Sequence, residues 1–394
     1  MNKVQPSLWL MIMIAGLPQF AETVYTPSLP EVSHYFQISE SIAEYTITIY
    51  LAGFAFGVLF WGNISDKIGR RPCVLWGLVT FSIGSMGCYL STNIEFMMCS
   101  RFIQAFGGSI GSVIGQAICR DSFHGAELGQ IYAIIGSALG FFPAIGPIIG
   151  GLIAEHFVWY SVFLFLIIWA TILFVAVALN LPETCDIENT KSTSILDVAS
   201  KLMHDRDVIF YTLIVAACNG IGFSYFAEGS FYLINLLGLS PTEYGSTFIF
   251  TALSAVVGGF VSKKLLHYYE ARKVMSFGII TIFIGSLIFS IIAVFGVIIE
   301  ISKANMIFVT IGSQTLIMFG TCIAITNSLA SALVNYKYCI GTASSLFGFS
   351  YYVLISLFTL LMGILHNGSL LTMPLYFLVI STGMVFLSQK CHKF

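Results

Sequence analysis

Gly62-Asn63-Ile64-Ser65-Asp66-Lys67-Ile68-Gly69-Arg70-Arg71-Pro72 is the stretch on which the reading of this chain turns. It packs four charges into eleven residues between two long apolar runs, 43–63 and 72–92. Gly69 permits a tight turn, and Pro72 suits the start of a helix. Asp66 is placed to face a helix N-terminus, where the dipole favours a carboxylate. Arg70 and Arg71 suit carboxylates or anionic lipid. The pattern reads as a short polar hairpin between two membrane-crossing helices.

The same alternation extends in both directions. Apolar runs fall at 7–30, 43–63, 72–92, 95–118, 128–154, 157–181, 208–236, 243–266, 273–298, 304–329, 339–364 and 370–388. About 20 residues are needed for a helix to cross the hydrocarbon core. The chain of 394 residues is 57% hydrophobic and only 9% charged, whereas a soluble domain carries about 25% charged residues. The bilayer must therefore be the solvent for most of it. In lipid every backbone amide needs an internal partner, which leaves helices or a closed barrel. A barrel would show alternating segments of about ten residues, and these runs are continuous. The expected fold class is an all-α membrane protein of twelve transmembrane helices in two six-helix halves. The run Leu8–Leu29 contains Glu22 and two prolines and lacks a small-residue cleavage site, so it reads as the first span and not as a removed signal.

Charge sets the orientation. With the N-terminus placed in the cytoplasm, Lys3, Lys67, Arg70, Arg71, Arg120, Lys191, Lys201, Arg206, Lys263, Lys264, Arg272, Lys273, Lys337, Lys390 and Lys393 fall on cytoplasmic segments. Only Lys303 falls outside, and Arg101 lies within a span. Such a bias predicts cytoplasmic N- and C-termini, and the compact loops without large external domains suggest a bacterial inner membrane. The polar stretch 182–207 divides an N-terminal half, 1–181, from a C-terminal half, 208–394. Ile195, Val198, Ala199, Leu202 and Met203 repeat at a helical period, which predicts a short interfacial helix within that linker.

Three charges sit where charge is costly: Glu22, Arg101 and Glu228. Each costs at least about 2.5–3.5 kcal/mol near a span centre. A rise of 1.5 Å per residue puts them about 10, 9 and 12 Å below the outer ends of spans one, four and seven. Ionised together they leave a charge of −1, which one proton would neutralise. Phe20-Ala21-Glu22 and Phe226-Ala227-Glu228 form a short internal echo, consistent with parallel halves. Tyr25, Tyr50, Phe54, Phe223, Tyr225, Phe231 and Tyr232 are candidate lining for an amphipathic ligand. Gly107, Gly111 and Gly115 give span four a face for close helix packing, and the prolines of span five are expected to bend that helix.

At this point the loop resembles the G-x-x-x-D-x-x-G-R-[RK] loop of the major facilitator superfamily, on Gly62, Asp66, Gly69, Arg70 and Arg71. The run from Tyr50 through Gly53 and Gly57 to Pro72, the Tyr25–Pro30 segment, Arg101-Phe102-Ile103-Gln104, and Pro182-Glu183-Thr184 resemble the bicyclomycin-resistance-type drug/proton antiporters. So does Pro143-Ala144-Ile145-Gly146-Pro147 with Gly150-Gly151, which is similar to that group's antiporter motif. The resemblance covers about residues 20–185. It implies a gating latch at the loop, a cavity lined by spans one, four and seven with Gln104 beside Arg101, and the proton as coupling ion. Two positions depart from the group: Val58 stands where a glutamine is usual, and the acid of span one is Glu22 with Thr23 in its usual place. One residue is about 100° around a helix, so the acid faces a different neighbour.

The expected function is proton-coupled efflux of amphipathic small molecules. The alternatives are a carrier for a metabolite or siderophore-like chelator, and a transport-inactive sensor. An enzyme is not indicated: the seven histidines fall at span ends or in loops with no HxxxH pair, the nine cysteines form no CxxC, and no GxxxxGK[ST] occurs. No cofactor or metal is expected, and a net charge of −2 without a basic tail gives no sign of nucleic acid. The partners expected are a small-molecule substrate and membrane lipid, with the chain acting as a monomer.

Overall fold

The computed structural model describes residues 5–123, 125–185 and 195–391. Lys3, His124, Lys191, His392 and Lys393, which enter the charge and histidine readings, lie outside them. Among the described residues there is no strand. Eleven helices are long and apolar enough to cross a membrane: Leu8–Phe36, Glu40–Ile68, Arg70–Tyr89, Ile94–Ser122, Ser161–Asn180, Arg206–Leu236, Pro241–Leu265, Ala271–Ile299, Lys303–Tyr336, Ile340–Leu365 and Thr372–Lys390. The remaining crossing is broken. Gly125–Leu139 and Phe142–His156 are fifteen residues each, too short singly for a core of about 30 Å. They meet just before Pro143, whose missing N–H and fixed ring oppose a continuous helix. The chain is thus a multi-pass membrane protein, with spans here numbered one to twelve in chain order and span five in two pieces.

Polar caps fix where the helices start. Asn93 accepts from Phe96 N at 2.8 Å at the head of span four. Ser240 and Glu243 form a reciprocal capping box at the head of span eight. Asp205 accepts from Asp207 N and Val208 N at the head of span seven. Span one runs farther than the apolar run suggests. It passes through a 3-10 turn at Thr26–Ser28 and continues to Phe36. Glu22 therefore lies about 21 Å along the helix from its end, against about 12 Å for Glu228 in its span. The expectation that these charges sit at similar depth is corrected accordingly.

Large apolar side chains point outward all round the bundle: Trp76, Leu179, Phe260, Phe308 and Val379 are each more than half exposed. In water that surface would be a liability, and in lipid it is the solvated face. Inside there are two apolar cores. One draws almost wholly on spans one to six, from Leu10 to Leu181. The other draws almost wholly on residues from Val198 to Met384. The helix Ile195–His204 buries Val198 and Leu202 and packs on spans seven and eleven, while Leu196 and Met203 stay exposed.

The two ends of the bundle differ. At the end bearing Gly69, here the basic end, a cavity of about 230 Å³ separates Val58, Gln116 and Arg120 from Leu333, Ser345 and Tyr351. At the far end the spans close on one another. A Cβ on Gly151 would run into the Pro241 carbonyl, and one on Gly245 into that of Pro147, so spans five and eight touch backbone to backbone. Spans two and eleven pack along much of their length. Among the described residues, the basic end thus holds a cavity between the two sides of the bundle, while at the far end spans five and eight meet backbone to backbone.

The eleven-residue loop is shorter than its sequence suggests, because span two continues to Ile68 and span three starts at Arg70. Gly69 makes the whole turn at φ +97°. Arg70 is buried and donates to Asp66 at 2.5 Å, Ser65 at 2.7 Å and Asp121 at 2.9 Å. The carboxylate of Glu183, just after span six, accepts from the backbone N–H of Arg70 at 2.8 Å and of Arg71 at 3.1 Å. The Arg71 guanidinium reaches the Ala178 carbonyl. Asp66 was the residue expected at the helix N-terminus. Glu183 takes that place by accepting the first N–H groups of span three, while Asp66 is held by the Arg70 side chain. The ends of spans two, three, four and six are thereby tied at one point.

Gly69→Ala is expected to lower stability by about 1–3 kcal/mol, since an L side chain is strained at this φ and the added Cβ would meet the Glu183 carboxylate. A reduced thermal midpoint of the detergent-purified protein checks it. An unchanged midpoint would mean the turn readily takes another backbone conformation.

Candidate functional site

Two charged clusters lie inside the bundle. The first is built on Arg101, which is fully buried one-quarter of the way along span four. Its guanidinium lies over the rings of Tyr50 at 4.2 Å, Tyr25 at 4.6 Å and Phe163 at 5.9 Å. Such contacts are strongest where water is excluded. One nitrogen donates to Gln104 Oε1 at 2.6 Å, and Gln104 in turn donates to Ser85 at 2.8 Å. The Nε and the other terminal nitrogen have no hydrogen-bond partner. Residues 101 and 104 share a helix face by the i, i+3 spacing, which is why the amide can orient the guanidinium.

Glu22 lies within electrostatic reach of Arg101, Tyr50, Tyr351 and Tyr352. It is 5% exposed, and its Oε1 has no hydrogen-bond partner. No direct Glu22–Arg101 bridge forms, so a pairing of the two that merely fixes packing is not what the structure shows. Tyr25 instead bonds Thr46 at 3.1 Å, and Tyr50 donates to the Pro18 carbonyl at 3.3 Å. Phe54 packs on Tyr352 at 4.4 Å. Tyr351 also lines the cavity that opens at the basic end. Tyr25, Tyr50 and Phe54 thus gather with Arg101, Glu22 and Tyr352 in the buried interior, and of the tyrosines near Glu22 it is Tyr351 that lines the cavity.

The other aromatic candidates do not join them. Tyr225 packs on Phe248 and Tyr232 on Phe289 in the second core. Phe223 sits beside Phe226. Phe231 stacks near His366 at 5.8 Å. The stripe on span five is a packing device: Gly146 and Gly150 leave room for Thr23 and the Val24 carbonyl of span one, and Pro147 and Gly151 meet span eight. Pro143 stands at the break of that span. The stripe therefore sits beside Glu22 without touching the cavity.

The second cluster is at the far end, and the linear sequence conceals it. His366, just past the end of span eleven, places Nδ1 2.7 Å from Glu228 Oε2 and 3.6 Å from Glu44 Oε1. Its Nε2 lies 2.9 Å from Glu40 Oε2, and Glu40 Oε1 accepts from Asn235 at 2.5 Å. Burial alone would push the imidazole down, but the Glu228 and Glu40 carboxylates hold it up at about 9. Glu44 is fully buried and neither oxygen has a hydrogen-bond partner; Glu228 Oε1 has none either. The reading of only three charges within spans is corrected: Glu44 is a fourth. His366 does fall at a span end, as the sequence reading has it, yet folding brings ligand atoms of Glu44, Glu228 and His366 within 4.8 Å of one another. Those residues are 184 and 138 positions apart, and no local spacing announces them. The one local signal is Glu40 and Glu44, two acids one helical turn apart at the head of an apolar run.

Comparison with known proteins agrees with this architecture. The profile of the Major Facilitator Superfamily matches residues 8–359. An uncharacterised transporter of Rickettsia bellii (strain RML369-C) is 35% identical over 95% of this chain and 93% of that protein. A bicyclomycin resistance protein homolog of Haemophilus influenzae (strain ATCC 51907 / DSM 11121 / KW20 / Rd) is 24% identical over 87% of this chain and 86% of that protein. Among solved structures, a D-xylose–proton symporter superposes with a TM-score of 0.74 at 12% identity, covering 96% of each chain.

Gln104→Leu removes the acceptor from a buried guanidinium. It is expected to cost about 1.5–3 kcal/mol, the range for hydrogen bonds to charged groups, read as a lower unfolding midpoint. Retained stability would show that the ring contacts alone hold Arg101.

Proposed function

The chain belongs to the major facilitator superfamily, a family of membrane transporters, and on that premise we propose that it exports amphipathic small molecules in exchange for protons by alternating access. The observation that supports this most is Glu22: a buried carboxyl with an unpartnered oxygen, beside an aromatic-caged arginine and within electrostatic reach of Tyr351, which lines the cavity at the basic end. A relative that bears the name of a bicyclomycin resistance protein homolog points the same way. Basic residues concentrate at the open end, which the positive-inside rule assigns to the cytoplasm of a bacterial inner membrane, with both termini there. The state described is then inward-facing. The protein acts as a monomer, with lipid around its apolar belt.

The mechanism follows from the geometry. Arg101 carries a fixed positive charge that its rings and Gln104 hold in place. Glu22 is the mobile partner. Ionised, it neutralises Arg101 at a distance; protonated, it leaves the arginine's field uncompensated. Substrate entering past Arg120 and Tyr351 reaches the same place, so substrate and proton compete, and each favours one facing of the bundle. The two apolar cores move as bodies about the contacts at either end. One proton returning down 100 mV supplies about 2.3 kcal/mol, which sustains a gradient of about fifty-fold.

The test is proton flux in inverted vesicles under an imposed pH gradient, against amphipathic cations, neutral antibiotics and anionic chelators. Amphipathic cations or neutral antibiotics are expected to dissipate the gradient, and Glu22→Gln to abolish that dissipation while labelled compound still exchanges. A response to anionic chelators alone would assign the cargo to siderophore-like molecules instead. Exchange without proton movement in the native protein would overturn proton coupling.

A further inference from the structure

The far-end cluster has an imbalance that the transport reading does not use. Three carboxylates, Glu40, Glu44 and Glu228, face a single imidazole. No other cation among the described residues is bonded to any of them. Even with the ring protonated on both nitrogens, the group carries a charge of −2. Glu44 is wholly buried with two unpartnered oxygens, and Glu228 is buried with one. A buried carboxylate without a partner is costly, and a dication that displaced the Nδ1 proton would bring the set from −2 to −1.

The donor arrangement is that of a metal site. Glu40 accepts from His366 Nε2, and Asn235 fixes Glu40 from behind. A carboxylate holding one ring nitrogen of a histidine so that the other faces the ion is the usual outer layer of a metal centre. The other nitrogen, Nδ1, faces Glu228 and Glu44. Their ligand atoms already lie within 4.8 Å of one another. Bonds of about 2.0–2.2 Å to a common tetrahedral ion set ligand atoms about 3.4 Å apart, so Glu228, now 2.7 Å from Nδ1, eases away from it while Glu44, at 3.6 Å, scarcely moves. Gly363 brings bare backbone beside Glu44 Oε2, where a Cβ would come within 3.3 Å of it. Glu40 is about one-third exposed at the rim, which gives an ion an entry from the far side. One nitrogen with carboxylate oxygens suits a dication of borderline softness in preference to calcium or magnesium.

We propose that Glu44, Glu228 and His366 bind one first-row divalent cation of the zinc class, oriented by Glu40, and that the bound ion staples span two to spans seven and eleven. The ion takes the place of the Nδ1 proton, which is released to solvent, while Nε2–H remains on Glu40. Because the ligands come from both sides of the bundle, occupancy holds the far end shut and favours the state described above.

Metal-free full-length protein in nanodiscs, titrated with Zn²⁺ against a chelating dye, reads this directly and involves no transport. One ion per chain is expected, with Mg²⁺ and Ca²⁺ competing poorly. Glu44→Gln and His366→Asn are expected to weaken binding at least tenfold, and Glu40→Gln about tenfold or more. Zn²⁺ should raise the thermal midpoint of the native protein and not of Glu44→Gln. The glutamine variant keeps the shape of the buried side chain, so a folded, monodisperse Glu44→Gln is the reference. Binding that is unchanged in Glu44→Gln and His366→Asn would place the ion elsewhere, for instance on the exposed Cys99, and overturn the proposal. Absence of micromolar binding in the native protein would also overturn it.

Discussion

A charge inside this bundle needs an answering charge or dipole at short range, because lipid outside supplies none. That constraint organises the whole interior. Around each of the buried bases Arg70, Arg101 and His366, several helices converge. Arg70 takes three oxygens from spans two and four, and Glu183 from beyond span six takes the N-terminus of span three. Arg101 takes three rings and one amide from spans one, two, four and six. His366 takes carboxylates from spans two and seven. Each cluster fixes helices that share no sequence neighbourhood. The hydrophobic effect cannot do this in lipid, where apolar side chains are as content outside as inside.

Close approach of backbones does the rest. Gly146 and Gly150 let span five lie on span one, and Gly151 with Gly245 lets spans five and eight touch. The same stripe therefore serves two contacts, one within the first six spans and one across to the last six. The first is expected to persist when the bundle changes facing, and the second to break. A break in span five just ahead of Pro143 lets the two faces of the stripe be aimed independently. That gives a physical reason for proline and glycine to be concentrated in one helix.

Much of the fold was legible in the sequence because it depends on composition and length. Runs of about twenty apolar residues have few options in lipid, and twelve crossings follow, though span five showed its break only in space. Arg101 and Glu22 were legible because charge within an apolar run is conspicuous. Glu44 was not, because it stands one residue inside its run and reads as a boundary; only the extension of span two to Glu40 makes it interior. His366 was hidden for the opposite reason, since a histidine after a span looks solvent-facing until three distant carboxylates arrive around it. The aromatic candidates divided by helix face: Tyr25 and Tyr50 turn toward Arg101, while Tyr225 and Tyr232 fill the second core. Composition cannot separate these, because facing depends on neighbours that only the folded bundle supplies.

The placement of the charges along the axis carries a functional consequence. The Arg70 hub lies wholly within the first six spans at the basic end, so it can hold its helices together whichever way the bundle faces. The His366 cluster lies at the opposite end and joins spans two, seven and eleven, so it must come apart for that end to open. Glu22 stands midway along span one, between the two levels. On the proposed exchange, a carboxyl there would keep Arg101 near it whichever way the bundle faces, and what alternates would be its access to solvent. The proposed coupling then requires no long-range relay: the same carboxyl would meet the proton from one side and the substrate from the other, and the end clusters would decide which side is open.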